Sequence, residues 1–255
     1  MSAGFSNVYD DRARAAAYAE LEFPGTYSLA FRDLPAIIGR HVRGTKALDF
    51  GCGTGRSTRF LGELGFDALG VDISEHMLAQ ARARDPEREY RRVPDGDLGE
   101  LAEGTYDVVL SAFTFDNVPS TERKVTLLHS LRRLLTSGGV IVNLVSTPDI
   151  YLNEWASFST KDFPENRSAR SGEKVRIVML DVGDRRPVED ILWTDEDYQA
   201  LYRRAGLMPL ETHRPLAKPS EAVPWVSETT IAPWVIYVLG HSGQERHGGL
   251  RAGTL

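Results

Sequence analysis

The sequence holds a single cysteine, Cys52, in 255 residues, so no internal disulfide is open to it and the fold must rest on packing. A lone thiol suits a reducing compartment. No apolar run approaches the roughly 20 residues that span a bilayer, so no membrane-crossing helix is expected. An excess of positive charge is also missing: 30 Lys and Arg stand against 36 Asp and Glu, a net charge of −6. Polynucleotide binders need a positive field to neutralise phosphates, and a nucleic-acid partner is not expected. The opening MSAGFSNVYDDRARAAAY lacks the basic start, apolar stretch and cleavage site of a secretory signal, which predicts a cytoplasmic protein. Six histidines, at 41, 76, 129, 213, 241 and 247, show no ligand spacing, so no metal site is expected.

What is present is an ordinary globular composition, 42% hydrophobic and 26% charged, long enough for one large domain or two small ones. Residues 1–44 read as two helical pieces broken at Pro24-Gly25, an N-terminal helical cap. From 45 to 145, short β-rich runs (KALDF, DALGVD, EYRRV, YDVVLS, VIVNLV) alternate with helical stretches, which predicts an open α/β sheet with parallel crossovers. Ser74 caps one helix, Ser120 or Thr121 opens another that should run to Gly138-Gly139, and Thr194 with Asp197 resembles a capping box. Residues 146–193 exceed a minimal crossover and read as an inserted lid, with VRIVMLDV and PVEDILW pairing as a hairpin. Residues 194–240 should complete the core sheet, and 241–255 should form a flexible tail.

The most informative stretch is Leu48-Asp49-Phe50-Gly51-Cys52-Gly53-Thr54-Gly55-Arg56, an apolar strand delivered into a loop with glycine at alternate positions. Glycine lets a ligand approach the main chain without a Cβ in the way. A dinucleotide fingerprint wants glycine at the first, third and sixth positions, and the sixth here is Arg56. The Lys-Ser/Thr ending of a phosphate-cradling loop is missing too. A cofactor with a ribose and no pyrophosphate remains. Asp72, 21 residues after Gly51, closes the second strand, where a carboxylate accepts from ribose hydroxyls. Asp97, after the third strand, is placed to accept from an adenine amine.

These pieces, LDFGCGTG at 48–55, GVDIS at 70–74, DGDL at 95–98, YDVVLS at 106–111 and LLTSGG at 134–139, resemble the class I S-adenosylmethionine-dependent methyltransferases in order and spacing. The resemblance covers roughly 45–145. It implies a Rossmann-like doubly wound sheet of seven strands, mostly parallel with an antiparallel last strand, the final two at 207–213 and 231–239. It further implies that Asp49, Gly51, Cys52 and Gly53 lie beneath the methionine part of S-adenosylmethionine. Asp72 would hold the ribose, Ile73 and Leu98 would sandwich the adenine with Met77 nearby, and Asp97 would meet its amine. Ser111, Ala112 and Phe113 would face the sulfonium, and Tyr27 with Arg32 would close over the cofactor from the N-terminal helix.

Methyl transfer from a sulfonium is an in-line displacement, so alignment and exclusion of water are the protein's main tasks. The fourth strand runs into Ser-Ala-Phe-Thr and not into an Asn/Asp-Pro-Pro-aromatic signature. The one thiol sits in the glycine loop. A small-molecule acceptor methylated on oxygen or nitrogen is the default expectation, giving S-adenosylhomocysteine as by-product. Asp116 or Asn117 is the candidate to orient or deprotonate it. Phe115, Tyr151, Trp155, Trp225 and Glu228 are the candidate pocket walls. The alternatives are a protein that holds the cofactor without transferring methyl, and an RNA-modifying enzyme with a local basic groove.

Overall fold

The structure, a computed structural model, describes residues 25–243. The first helical piece expected before Pro24, and the tail from 244 onward, lie outside the described residues. Elements follow in chain order as α1 Thr26–Arg32, α2 Leu34–His41, β1 Lys46–Phe50, α3 Arg56–Glu63, β2 Asp67–Asp72, α4 Glu75–Arg84, β3 Glu89–Arg92 and β4 Tyr106–Ala112. After these come α5 Thr121–Leu134, β5 Leu135–Ser146, β6 Phe158–Ser159, β7 Lys174–Met179, β8 Val188–Ile191, α6 Asp195–Arg204, β9 Leu207–His213 and β10 Trp234–His241.

Seven strands form one sheet in the order β3-β2-β1-β4-β5-β10-β9, with β10 antiparallel to both neighbours and the pairings among the first five all parallel. Strand alternation supplies two cores. Val108, Leu110, Val140, Val142, Ile236 and Val238 face the side covered by α1 and α2. Val109, Ile141, Tyr237 and Leu239 face α5 and α6. Both faces are apolar because both are covered, as parallel sheets require. One polar interruption, fully buried Asn143, donates to the Tyr202 hydroxyl at 2.9 Å and ties β5 to α6. Among the described residues no helix is long and apolar enough to cross a membrane.

The caps follow the side chains. Ser74 Oγ accepts from the Met77 amide, Ser120 Oγ from the Arg123 amide, and Thr194 with Asp197 forms a reciprocal capping box. One boundary differs from expectation: α5 ends at Leu134, and Gly138-Gly139 lies inside β5. The Tyr106 carbonyl lies 2.7 Å from where a Gly139 Cβ would stand, and the β4–β5 register shifts just there. Those glycines admit a close strand approach and do not stop the helix. The segment between β5 and α6 contains the hairpin: β7 and β8 pair antiparallel from Lys174–Ile191 to Ile177–Val188, and β6 adds a third strand.

Strand order reverses between β1 and β4, so the loop after β1 and the turn after β4 face each other across the carboxyl ends of the sheet. Ligands of open α/β sheets bind at such a switch point.

Candidate functional site

The Gly51 and Cys52 amides both donate to the Val71 carbonyl, at 2.8 and 3.0 Å, which pins the loop after β1 to the end of β2. Gly51 has φ +74°, and a Cβ there would stand 2.1 Å from Thr114 Oγ1. Only glycine lets this loop and the turn after β4 approach so closely. Beneath the loop Asp49 is fully buried, and its Oδ2 accepts from Ser57 Oγ and Thr58 Oγ1, both at 2.6 Å, while Oδ1 has no hydrogen-bond partner. Burial, partly offset by the two hydroxyls, pushes Asp49 up to about 6. Burial likewise holds the Cys52 thiol well above its ordinary range, so it is a neutral filler.

Two cavities lie over this loop and a third adjoins them across the turn after β4. The first, about 140 Å³, is walled by Gly53, Asp72, Ile73, Met77, Val93 and Leu127. Its one carboxylate, Asp72, is held at both oxygens: Oδ2 accepts from the Gly53 amide and Oδ1 from the Ser74 amide, each at 2.8 Å. Ile73, Met77, Val93 and Leu127 make an apolar slot for a flat ring beside a carboxylate for hydroxyls, with Thr114, Asn117 and Arg123 also on the walls. This fits an adenosyl group. The second cavity lies on the other side of the loop, with Cys52, Thr54, Ser57, Phe31 and Arg56 on its walls. Arg56 is 9% exposed, and its guanidinium stands 6.0 Å from the Tyr27 ring centroid. A buried cation here can meet a carboxylate ligand. The third cavity opens between the sheet edge and the hairpin sheet, among Tyr27, Asp116, Tyr151, Phe158, Asp190 and Trp234.

Phe113 borders all three cavities. Among the described residues it is the one non-glycine with positive φ, +61°. Such strain in a large side chain persists only when its surroundings enforce it, and it clusters at functional sites. Its ring packs on Trp234 at 4.7 Å and edge-on to Tyr27 at 6.0 Å. Asn117, whose Nδ2 donates to the Phe113 carbonyl, borders the first and third cavities.

In the third cavity Asp116, 4% exposed, accepts from the amide and hydroxyl of Ser146 at 3.0 and 2.9 Å, and from Tyr198 at 3.4 Å. Burial raises its pKa and the nearby ammonium of Lys124 counters that. Lys124 is fully buried, donates to the Phe115 carbonyl, and is pushed down by burial against the pull of Asp116 and Asp190. Tyr151 donates to Asp190 at 3.1 Å.

Several residues fall elsewhere than expected. Arg32 lies at the surface, bonded to Asp33 and Glu221, because α1 turns that face away from the sheet. The guanidinium beside the loop is Arg56 instead, and its signal was the large residue at the sixth loop position. Asp97 is exposed and accepts from the Gly99 amide, and Leu98 is packed in the core; Gly96 lines the first cavity in their place. Asp49 and Ser111 are buried behind the cavity walls. Phe115 is core against Phe50, and Trp155 donates to the Ile150 carbonyl within the core. Trp225 packs at the core's edge, away from the cavity walls. Glu228 is a buried clasp: it accepts from Thr26 Oγ1, the Ala156 amide and the Val226 amide at 2.6, 2.7 and 2.8 Å, joining α1 to the inserted segment. Asp190 and Ser146 were missed. Asp190 shares a strand face with Val188, an inward position where a carboxylate is out of pattern.

Residues 48–141 match the family model described as a methyltransferase domain. The chain is 27% identical over 223 residues to N-demethylindolmycin N-methyltransferase of Streptomyces griseus, covering 86% of this chain and 92% of that protein. It is 33% identical over 104 residues to ubiquinone biosynthesis O-methyltransferase of Methylococcus capsulatus, covering 39% of this chain and 43% of that protein. The crystal structure of an S-adenosylmethionine-dependent methyltransferase from Clostridium acetobutylicum superposes with a TM-score of 0.59 at 13% identity, covering 92% of this chain and 97% of that one. That last likeness is one of fold.

Proposed function

Because this chain belongs to the class I S-adenosylmethionine-dependent methyltransferases, we propose that it methylates nitrogen or oxygen of a small-molecule acceptor held in the third cavity. The observation that carries this reading is the meeting of three cavities at Phe113, on the switch point of the sheet. The relative aligned along most of its length is named for N-methylation of a small molecule, which supports the same acceptor class.

When bound, S-adenosylmethionine supplies an electrophilic methyl carried on a sulfonium. Asp72, already oriented by the Gly53 and Ser74 amides, would accept from the ribose hydroxyls. Ile73, Met77, Val93 and Leu127 would hold the base, and Arg56 would pair with the carboxylate. Gly51 and Gly53, with Cys52 between them, and Ala112 with Phe113 would hold the methionine part. Asp116 takes the acceptor's proton: its burial favours the protonated form, while the Lys124 ammonium and then the Ser146 donors keep the ionised form accessible. The aromatic walls exclude water.

The test is incubation with methyl-labelled S-adenosylmethionine and fractionated metabolites, followed by mass spectrometry. S-adenosylhomocysteine should accumulate in step with one labelled product. Asp116→Asn should lower kcat about a hundredfold while S-adenosylhomocysteine still binds. Binding of that compound without turnover on any fraction would make the protein a cofactor holder and sink the proposal.

A further inference from the structure

Gly51, Gly53, Ala112 and Phe113 are the residues shared by the walls of the first and second cavities, and of these Phe113 alone also borders the third. Glycine has no side chain and alanine only a methyl. The ring of Phe113 therefore sets the width of the space where the three cavities join.

That ring has little room to retreat. The Phe113 amide donates to the Leu144 carbonyl at 2.8 Å, and the Phe113 carbonyl accepts from Asn117 Nδ2 at 3.2 Å. The hydroxyl of the next residue, Thr114, donates to the Phe50 carbonyl at 2.9 Å. These bonds hold the backbone at φ +61°, a left-handed conformation that a residue with a Cβ keeps only under such constraint. On its far side the ring meets Trp234 at 4.7 Å and Tyr27 at 6.0 Å. Both are themselves fixed: the Trp234 indole N–H donates to the Thr26 carbonyl at 2.9 Å, and the Tyr27 hydroxyl donates to Met179 Sδ at 3.2 Å. The third cavity beyond them holds only about 50 Å³.

S-adenosylmethionine carries its sulfur between its adenosyl and amino-acid ends. With the adenosyl end in the first cavity and the amino-acid end in the second, the sulfur and its alkyl group would stand at the walls these cavities share. There the glycines and Ala112 leave space, and one fixed ring limits it.

We propose that Phe113 determines the size of the group carried on the sulfonium, admitting methyl and excluding longer alkyl chains; this rests on the methyltransferase reading above. One more methylene meets the ring, and overpacking against a wall that cannot shift costs affinity. The backbone strain is thereby given a use, since it holds a bulky side chain where the cofactor and acceptor spaces meet.

The test is calorimetry on the full chain with S-adenosylmethionine and its S-ethyl and S-butyl homologues. The parent should bind the ethyl compound about tenfold more weakly than the methyl compound, and the butyl compound more weakly again. Phe113→Gly removes the ring and suits a left-handed backbone, and should bring methyl and ethyl within about threefold of each other. Phe113→Leu keeps an apolar side chain against the core and should fall between the two, which decides the matter if the glycine variant does not fold. The quantity compared is the ratio of ethyl to methyl affinity within each protein, so a uniform change in grip on the cofactor does not enter it. A parent that binds methyl and ethyl equally, or variants that keep the parent's full ratio, overturns the inference while the methyltransferase reading stands. A parent that binds neither S-adenosylmethionine nor S-adenosylhomocysteine overturns that reading instead.

Discussion

Consecutive residues from Phe50 to Arg56 build one wall of the proposed cofactor site, mostly from main chain, whereas the third cavity gathers side chains from Tyr27 to Trp234. In the first region the donors are amides and the shape is set by three left-handed glycines, so any sequence making the turn makes the site. In the second the chemistry belongs to the side chains themselves: two aspartates, several rings and a buried lysine behind them. On the proposed function, the local backbone site would select the cofactor and the dispersed side-chain site the acceptor.

The largest expected effect tests the one side chain on which the loop depends. Asp72→Ala removes the acceptor for the Gly53 and Ser74 amides and for the ribose hydroxyls together. Calorimetry should show S-adenosylhomocysteine affinity falling at least about a hundredfold, the scale of losing two charge-assisted hydrogen bonds. A loss under about tenfold would mean that main chain alone grips the cofactor, and the contrast between the two regions would be sharper still.

The same contrast explains what could be read from residues alone. The sheet was legible because strand runs such as DALGVD and YDVVLS carry the apolar pattern of a doubly covered sheet, and Ser74 and Thr194 cap locally. Gly138-Gly139 misled because glycine marks both a helix stop and a close strand approach, and only the neighbouring strand tells them apart. The place of Asp72, at the end of β2 beside the glycine loop, was legible from its spacing behind the glycines. Arg32 was not, since which face of α1 meets the sheet depends on contacts such as those of Tyr27 with Trp234, far apart in sequence. Glu228 looked like a pocket residue because a lone carboxylate among aromatics signals function as readily as a clasp. Its partners Thr26 and Ala156 lie 202 and 72 residues away.

A second measurement compares the buried carboxylates of the two regions. Burial raises both to about 6, opposed at Asp116 by the ammonium of Lys124 and at Asp49 by two hydroxyls. In the unfolded chain Asp49 returns to an ordinary carboxylate value, so between about pH 4 and pH 6 the folded state binds more protons. Its contribution to stability is therefore largest in acid, falls as pH rises through that window, and is flat above it. The fall is at most about 3 kcal/mol. Asp49→Asn keeps an oxygen for Ser57 and Thr58 but has no proton to lose. Urea unfolding of both proteins from pH 4 to pH 7 should show the variant gaining on the parent by up to that amount. Parallel curves would mean that Asp49 is ionised in the fold.

The smallest effect separates two arginines, Arg32 expected at the cofactor from sequence and Arg56 proposed there from its burial on a cavity wall. Arg56 is buried beside the loop, near the Tyr27 ring, while Arg32 spends its guanidinium on Asp33 and Glu221 at the surface. Arg56→Lys keeps the charge but gives up the planar fork that pairs with a carboxylate, so S-adenosylhomocysteine should bind about tenfold more weakly. Its decarboxylated analogue should lose almost nothing, because the contact at stake is with the carboxylate. Arg32→Ala removes exposed ion pairs whose individual worth is about 0 to 1 kcal/mol, so thermal stability should drop only slightly. Both ligands should bind it as they bind the parent. Should Arg32→Ala weaken S-adenosylhomocysteine and spare the decarboxylated analogue, the N-terminal helix would swing over the cofactor in solution. The wall of that site would then no longer be local, and the distinction between a backbone-made site and a side-chain-made one would fail at that end.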